Sequence, residues 1–256
     1  MKHLLTLVIA LFCTATAYAD CAATGLWVFP SGQTINPNSI FILNGYAHSQ
    51  RVIPELNKKH SIYLKSGIKK IRLVVTEICV GQYRITQAVL KPEKELEAGR
   101  EYTMHIDNLS ENERLNRYNS ATAKYEPVTY KVVSDKDLEK PQLSAKPIEL
   151  KKTLDFYGCG PSTYVVFSHP AKDNSEIIVK TTVKNLKTGK ETTFYIVPNG
   201  NEISVGHGMC SGAFDFDDGD NYEVEFSFMD SSGNSTSWTG ERIKFTRPTK
   251  QTNRID

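Results

Sequence analysis

The chain has 256 residues, with 31 lysines and arginines against 29 aspartates and glutamates, and a net charge of +2. That balance leaves no basic field for nucleic acid, and beyond the first nineteen residues no apolar run is long enough to cross a bilayer. The sequence predicts an all-β chain that is exported, soluble and non-enzymatic.

Lys2, the apolar segment from Leu4 to Cys13 and Ala17-Tyr18-Ala19 before Asp20 follow the order of a cleavable secretory signal, so residues 1–19 are set aside. Phe12 stands before Cys13 where a lipobox needs a small residue. The expected destination is the periplasm, the cell surface or the medium. After cleavage four cysteines remain, Cys21, Cys79, Cys159 and Cys210, which allow three pairings in an oxidising compartment. Cys21 with Cys79 and Cys159 with Cys210 is the simplest choice, one bridge per half. Each bridge would add roughly 4 kcal/mol in the loop-entropy model.

The remaining length suits two domains, 20–133 and 142–247, joined by a polar linker over 134–141 that ends in Pro141, with a polar tail over 248–256. In the first half, Leu26 to Phe29 and Ser39 to Leu43 read as strands split by Pro30-Ser31-Gly32 and Asn36-Pro37-Asn38. Ile62 and Leu64 open another strand. Ile71, Leu73 and Val75 then alternate with Lys70, Arg72 and Thr76, which predicts a strand with one wet face. Tyr83 to Leu90 and Pro127 to Val133 are further strands.

Leu96, Gly99 and Tyr102 recur in spacing as Phe216, Gly219 and Tyr222. In each, an apolar residue anchors the incoming chain, glycine permits an unusual φ, and tyrosine opens an alternating strand. The ring can be buried while its hydroxyl bonds backbone upstream, the arrangement called a tyrosine corner. Between Tyr102 and the linker, Asn108 to Lys124 is long, polar and without β period; Ser110 and Glu113 fit a capping box for a turn or two of helix. Arg114, Arg117, Tyr118 and Tyr125 would furnish a binding surface there.

The second half carries strands at Ser162 to Ser168, Glu176 to Leu186 and Thr192 to Val197, the latter two joined by a hairpin turn at Lys187-Thr188-Gly189-Lys190. After the second corner, Tyr222, Val224, Phe226 and Phe228 alternate with Glu223, Glu225 and Ser227, a period too strict for a helix. Asp230 to Asn234 turns the chain, and Trp238, Ile243 and Phe245 are assigned to the last strand.

Pro30-Ser31-Gly32 leading to Ile40-Phe41-Ile42-Leu43, then Leu90-Lys91-Pro92 and the first corner, resembles the bacterial Ig-like domains of surface-layer and other exported proteins. The second half, with its corner followed by Asp230 and Gly233-Asn234, is similar to Ig-like or fibronectin-III-like repeats found in tandem on bacterial surfaces. The resemblance implies two tandem antiparallel β-sandwiches used for spacing, display or adhesion, with a protein or glycan of the cell envelope as partner. Antibody-type domains place their second cysteine two residues after the corner tyrosine, where this chain has Met104 and Val224.

Chemistry-bearing clusters are few. Gly208-Met209-Cys210-Ser211-Gly212 fits a nucleophile-elbow pattern, but no helix follows it and no Ser/His/Asp set accompanies it, so no catalytic residue and no cofactor are expected. His207, Met209 and Cys210, with Cys159 and His169, are ligand types for copper or zinc, in the reverse of the cupredoxin order. Asp215, Asp217, Asp218 and Asp220 miss the register of an EF-hand loop. A calcium site could instead form where the linker acids Asp135, Asp137 and Glu139 meet Asp230 and Asn234 of the second half. Asn108-Leu109-Ser110 and Asn234-Ser235-Thr236 are glycosylation sequons.

Overall fold

The computed structural model describes residues 25–111 and 113–249; the expected signal peptide, Cys21 and most of the expected tail lie outside them. The first half contains β1 (Gly25–Phe29), β2 (Thr34–Ile35), β3 (Phe41–Tyr46), a 3-10 helix (Ala47–Glu55), β4 (Ile62–Ser66), β5 (Lys69–Val80), β6 (Ile85–Pro92), β7 (Glu101–Ile106), β8 (Asn116–Asn119), β9 (Lys124–Pro127) and β10 (Thr129–Val132). The second contains β11 (Gln142–Leu143), β12 (Glu149–Tyr157), β13 (Gly160–Ser168), β14 (Ala171–Lys172), β15 (Ile177–Asn185), β16 (Glu191–Ile196), β17 (Glu202–His207), β18 (Asn221–Asp230), β19 (Ser235–Ser237) and β20 (Ile243–Thr246). The protein is all-β and sandwich-like.

Eight strands of the first half form one sheet, in the order β1-β3-β6-β5-β4-β7-β10-β2, with residues from both ends of it in one core. The strand that turns the corner is β5. Its first residues pair with β4, while Leu73 to Val80 pair with β6, and the register slips between Val75 and Glu77. Such a bulge bends a strand and reverses which face its side chains occupy. Ile71 and Leu73, before it, join the first core with Phe41, Leu43, Leu90, Tyr102 and Tyr130. Cys79, after it, belongs to the other core.

The second half layers β12-β13-β17 against β16-β15-β18, with β19 and β20 both on the free edge of β18. Phe167 sits edge-on to Phe226 between the layers, at 5.3 Å. This core is not closed by its own residues: Phe29, Ile40, Ile42, Cys79 and Val89 of the first half are part of it. Strands β3 and β6 are therefore buried on both faces, which explains why Ile42 and Val89 are as apolar as Phe41 and Leu90.

Hydrogen bonds add direction to this junction. The Ile40 N–H donates to Ser231 O at 2.9 Å, and Tyr83 and Gly212 exchange backbone bonds of 3.1 and 2.7 Å. The Glu176 carboxylate accepts the Ser31 and Gly32 N–H groups in the turn after β1, the first at 3.0 Å and the second at 2.5 Å. Residues of the expected linker are pinned: Asn36 Nδ2 donates to Asp135 O at 2.9 Å, and Asn38 Nδ2 to Asp137 O at 2.6 Å.

Both tyrosines of the paired corners are buried, as are Leu96 and Phe216. The Tyr102 hydroxyl accepts the Glu97 N–H at 3.3 Å, whereas the Tyr222 hydroxyl donates to Gly219 O at 3.1 Å. Gly99 has φ +75°, the left-handed region expected for it. Gly219 does not adopt that conformation. Its place is set by space, because a Cβ there would lie 3.2 Å from the Asn185 amide.

Three further expectations are corrected. Neither proposed disulfide forms, since Cys79 is a buried free thiol and Cys159 a half-buried one; Cys210 is disulfide-bonded, but to neither of them. The 108–124 segment is not helical at Ser110. Ser110 Oγ does donate to Glu113 Oε2 at 2.9 Å, but the chain then rises into the β8–β9 hairpin. Trp238 lies outside β20, between it and β19.

Candidate binding groove

Strand β1 ends the eight-stranded order, so one of its edges pairs with β3 and the other carries no strand among the described residues. The β8–β9 hairpin stands beside that edge. Its register sets Tyr118 opposite Tyr125 and Arg117 opposite Glu126. The tip is closed by side chains: Asn119 Oδ1 accepts the Ala121 N–H at 3.0 Å, and Glu126 accepts from Asn119 at 2.9 Å and from Thr122 at 2.8 Å. These donors hold the half-buried Glu126 carboxyl below its usual range.

Arg117 fastens the hairpin to the sandwich. Its guanidinium donates to Pro30 O at 2.8 Å, Gly32 O at 3.2 Å and the Tyr130 hydroxyl at 3.1 Å, and lies over the Tyr130 ring. Every acceptor is neutral. Burial drives the Tyr130 phenol well above its usual range, so it remains a hydroxyl at any physiological pH. Arg117 thus lines the surface and also anchors its wall, with three of its five N–H donors engaged.

Between hairpin and strand runs a groove of about 610 Å³, lined by Leu26, Trp27, Tyr46, Arg114, Tyr118 and Tyr125 among others. Trp27 is 42% exposed, Tyr118 54% and Tyr125 73%. Tyr118 and Tyr125 meet edge-on at 5.3 Å, forming one aromatic wall. Gly25 opens the other side, because a Cβ there would stand 2.6 Å from the Tyr46 ring. Arg114 is exposed and, among the described residues, has no ion pair or hydrogen bond. Arg114, Arg117, Tyr118 and Tyr125, named together from the sequence, all line this groove; Trp27, which lines it too, was not named.

A second cluster lies at the junction. Asp137, Asp173 and Asp230 bring carboxylate oxygens within 4.8 Å of one another. Asp230 is fully buried; its Oδ1 accepts the Ser232 and Asn234 N–H groups at 2.8 and 2.9 Å, and its Oδ2 accepts Asn234 Nδ2 at 2.8 Å. Burial raises its pKa, and the Asp137 charge adds to the rise. Asn234 Nδ2 also donates to Asp137 O at 3.0 Å, so this amide is engaged rather than free for a glycan. Asp135 is not in the cluster, its carboxylate accepting from Ser134 instead. Asp173 takes its place, receiving the Ser175 N–H at 2.8 Å in a short turn.

Among the described residues the remaining ligand types do not assemble. His207 is buried, with Nδ1 2.9 Å from Gly208 O and its ring 5.0 Å from Tyr83. The Cys210 sulfur is in a disulfide and offers no thiolate to a metal or a substrate. His169 packs on Phe228 at 5.5 Å, and burial lowers its pKa.

No protein-family model matches the chain, and no curated protein sequence matches it significantly. Similar solved structures include the pullulanase of Anoxybacillus sp. LM18-11, at 8% identity and TM-score 0.24 over 82% of this chain and 24% of that one. The chain thus spans about a quarter of the pullulanases it matches. Others are the chicken CNTN1 FN1-FN3 domains, at 12% identity and TM-score 0.25 over 84% of this chain and 65% of that one, and the tandem Ig repeats of Dlar, at 8% and 0.23 over 88% and 98%. The structural neighbours therefore include fibronectin-type and Ig domains, at a likeness too low to carry function.

Proposed function

We propose that this chain is an exported, non-enzymatic β-sandwich module that binds a protein at the cell envelope, through the groove between β1 and the β8–β9 hairpin. The observation that carries this reading is the exposed set of Trp27, Tyr118 and Tyr125 facing one channel beside a β1 edge that pairs with no strand among the described residues. Large aromatics left in water are the residue types that dominate interface energetics, and an unpaired edge can accept a partner's strand. A photo-crosslinking residue at Tyr118, compared with one in the remote turn at Lys187, tests it in native envelopes. Adducts confined to the Tyr118 probe are expected. Equal labelling from both positions refutes the groove.

A second reading is favoured by the aspartate cluster. Three carboxylates at close range repel, one is fully buried, and among the described residues no lysine or arginine forms an ion pair with any of them. A divalent ion such as calcium would offset that repulsion with oxygen ligands it prefers. Asp137, Asp173, Asp230 and the Asn234 region would hold it, stiffening the junction. Saturating calcium is then expected to raise the melting temperature of the wild-type chain, by about 2.7 kcal/mol of stability at a hundredfold excess over Kd. A D173N variant should lose that gain. An unchanged melting temperature in calcium removes the reading.

A further inference from the structure

We infer that the occupant of the β1 groove is an extended, acidic peptide segment, added alongside β1 with a carboxylate on Arg114. The inference rests on the groove reading above and adds the chemistry of the partner. Among the described residues lining the groove there is no aspartate or glutamate, while Arg114 and Arg117 both face it. Arg117 spends its donors on two carbonyls and a phenol, so its positive charge is not cancelled by an ion pair. Arg114 is exposed and unpaired among the described residues. The near-neutral chain therefore concentrates two positive charges in this channel and no negative one. The complement is an anion, held by charge-assisted hydrogen bonds from Arg114 and drawn in by the field of both guanidiniums.

The strand edge specifies the backbone of that anion. Among the described residues no strand pairs with the outer edge of β1, an opening that an extended peptide fits and a compact ligand does not. Side chains of an added strand alternate, so acidic residues at every second position would present one face to Arg114. Residues between them would meet the Trp27, Tyr118 and Tyr125 rings.

The test uses the full mature chain and fluorescein-labelled heptapeptides alternating glutamate with valine, glutamine with valine, or lysine with valine, read by fluorescence anisotropy. The glutamate peptide is expected to bind at least about tenfold tighter than the glutamine one, with affinity falling as salt rises, and the lysine peptide not at all. R114E, on an exposed side chain, should weaken the glutamate peptide about tenfold or more, while R114K keeps part of the binding. Slower amide exchange in β1 with peptide bound is the accompanying mark of strand addition. Equal binding of the glutamate and lysine peptides, or an unchanged affinity in R114E, overturns the inference. So does sedimentation showing a wild-type dimer that R114E abolishes, which would assign the groove to a second copy. Should photo-crosslinks still issue from Tyr118 while the glutamate peptide fails to bind, the acidic class falls and the groove stands.

Discussion

Gln87 and Tyr195 exchange two hydrogen bonds across the junction: Gln87 Nε2 donates to Tyr195 O at 3.0 Å, and the Tyr195 N–H donates to Gln87 Oε1 at 3.0 Å. The side-chain amide of one half thereby does for β16 what a neighbouring strand would do. Gln87 is fully buried, and a third bond to Asn44 Oδ1 at 2.7 Å fixes its orientation. Replacing Gln87 by leucine leaves a buried N–H and carbonyl of Tyr195 without partners, at a cost of about 2–4 kcal/mol. Chemical denaturation should show that loss, with the exposed Gln33→Ala as a control that stays within about 0.5 kcal/mol. A Gln87→Leu midpoint equal to wild type would mean that the amide contributes only shape.

Beside that pair, Glu77 accepts from Lys180 Nζ at 2.9 Å and from the Tyr195 hydroxyl at 2.8 Å. Burial pulls its pKa upward, but the bonds from Lys180 and Tyr195 outweigh burial and leave it below the ordinary 4.5. A carboxylate depressed in the folded state stabilises the fold above its unfolded pKa, and that contribution is lost as pH falls through the folded value. Melting temperature should therefore drop between about pH 5 and pH 3 in wild type, and less steeply in Glu77→Gln. At pH 7 the same substitution is expected to cost about 1 kcal/mol, because the ion pair is a third exposed. Parallel acid profiles for the two proteins would assign the acid sensitivity elsewhere.

Much of the strand content could be read from the sequence where one face is buried and the other wet. Tyr222, Val224, Phe226 and Phe228 of β18 are buried as their alternation requires, and Gly189 takes φ +74° in the turn between β15 and β16. Strand β12 gave no such signal. It is an edge strand with no buried residue along its length, so burial imposes no period on it. The β8–β9 hairpin hid for the same reason, its four-residue strands projecting from the sandwich. In β5 the period was present but the bulge after Val75 was not foreseen, and it is the bulge that turns Glu77 and Cys79 toward the second half. The acidic cluster could be anticipated from the linker side, yet Asp173 comes from a short loop whose proximity depends on how the halves pack.

Cysteine chemistry follows from the same packing. Burial, with the Glu77 carboxylate beside it, pushes the Cys79 thiol up to about 12, so it is both shielded and protonated. Maleimide should label Cys159 in the native protein and Cys79 only after unfolding, while Cys210 should react only after reduction. With Cys79 and Cys159 free, a non-reduced digest is expected to link Cys210 to neither of them. A linked peptide joining Cys159 to Cys210 would restore the pairing within the second half.

Arg117 supplies the most local of these predictions. The hairpin shares little core, so its position depends on the guanidinium reaching Pro30 O, Gly32 O and the Tyr130 hydroxyl. The turn it grips is held from the far side by Glu176 of the second half, which accepts the Ser31 and Gly32 N–H groups. Arg117→Ala should accordingly free the hairpin without unfolding the sandwich, since charged hydrogen bonds of this type are worth about 1.5–3 kcal/mol each. Amide exchange should rise over residues 116–127 while β3 and β6 remain protected. Arg117→Lys retains the charge but has no planar fork to span three acceptors, and should behave closer to alanine than to arginine. Unchanged exchange in both variants would show that contacts other than the Arg117 guanidinium hold the hairpin against the sandwich.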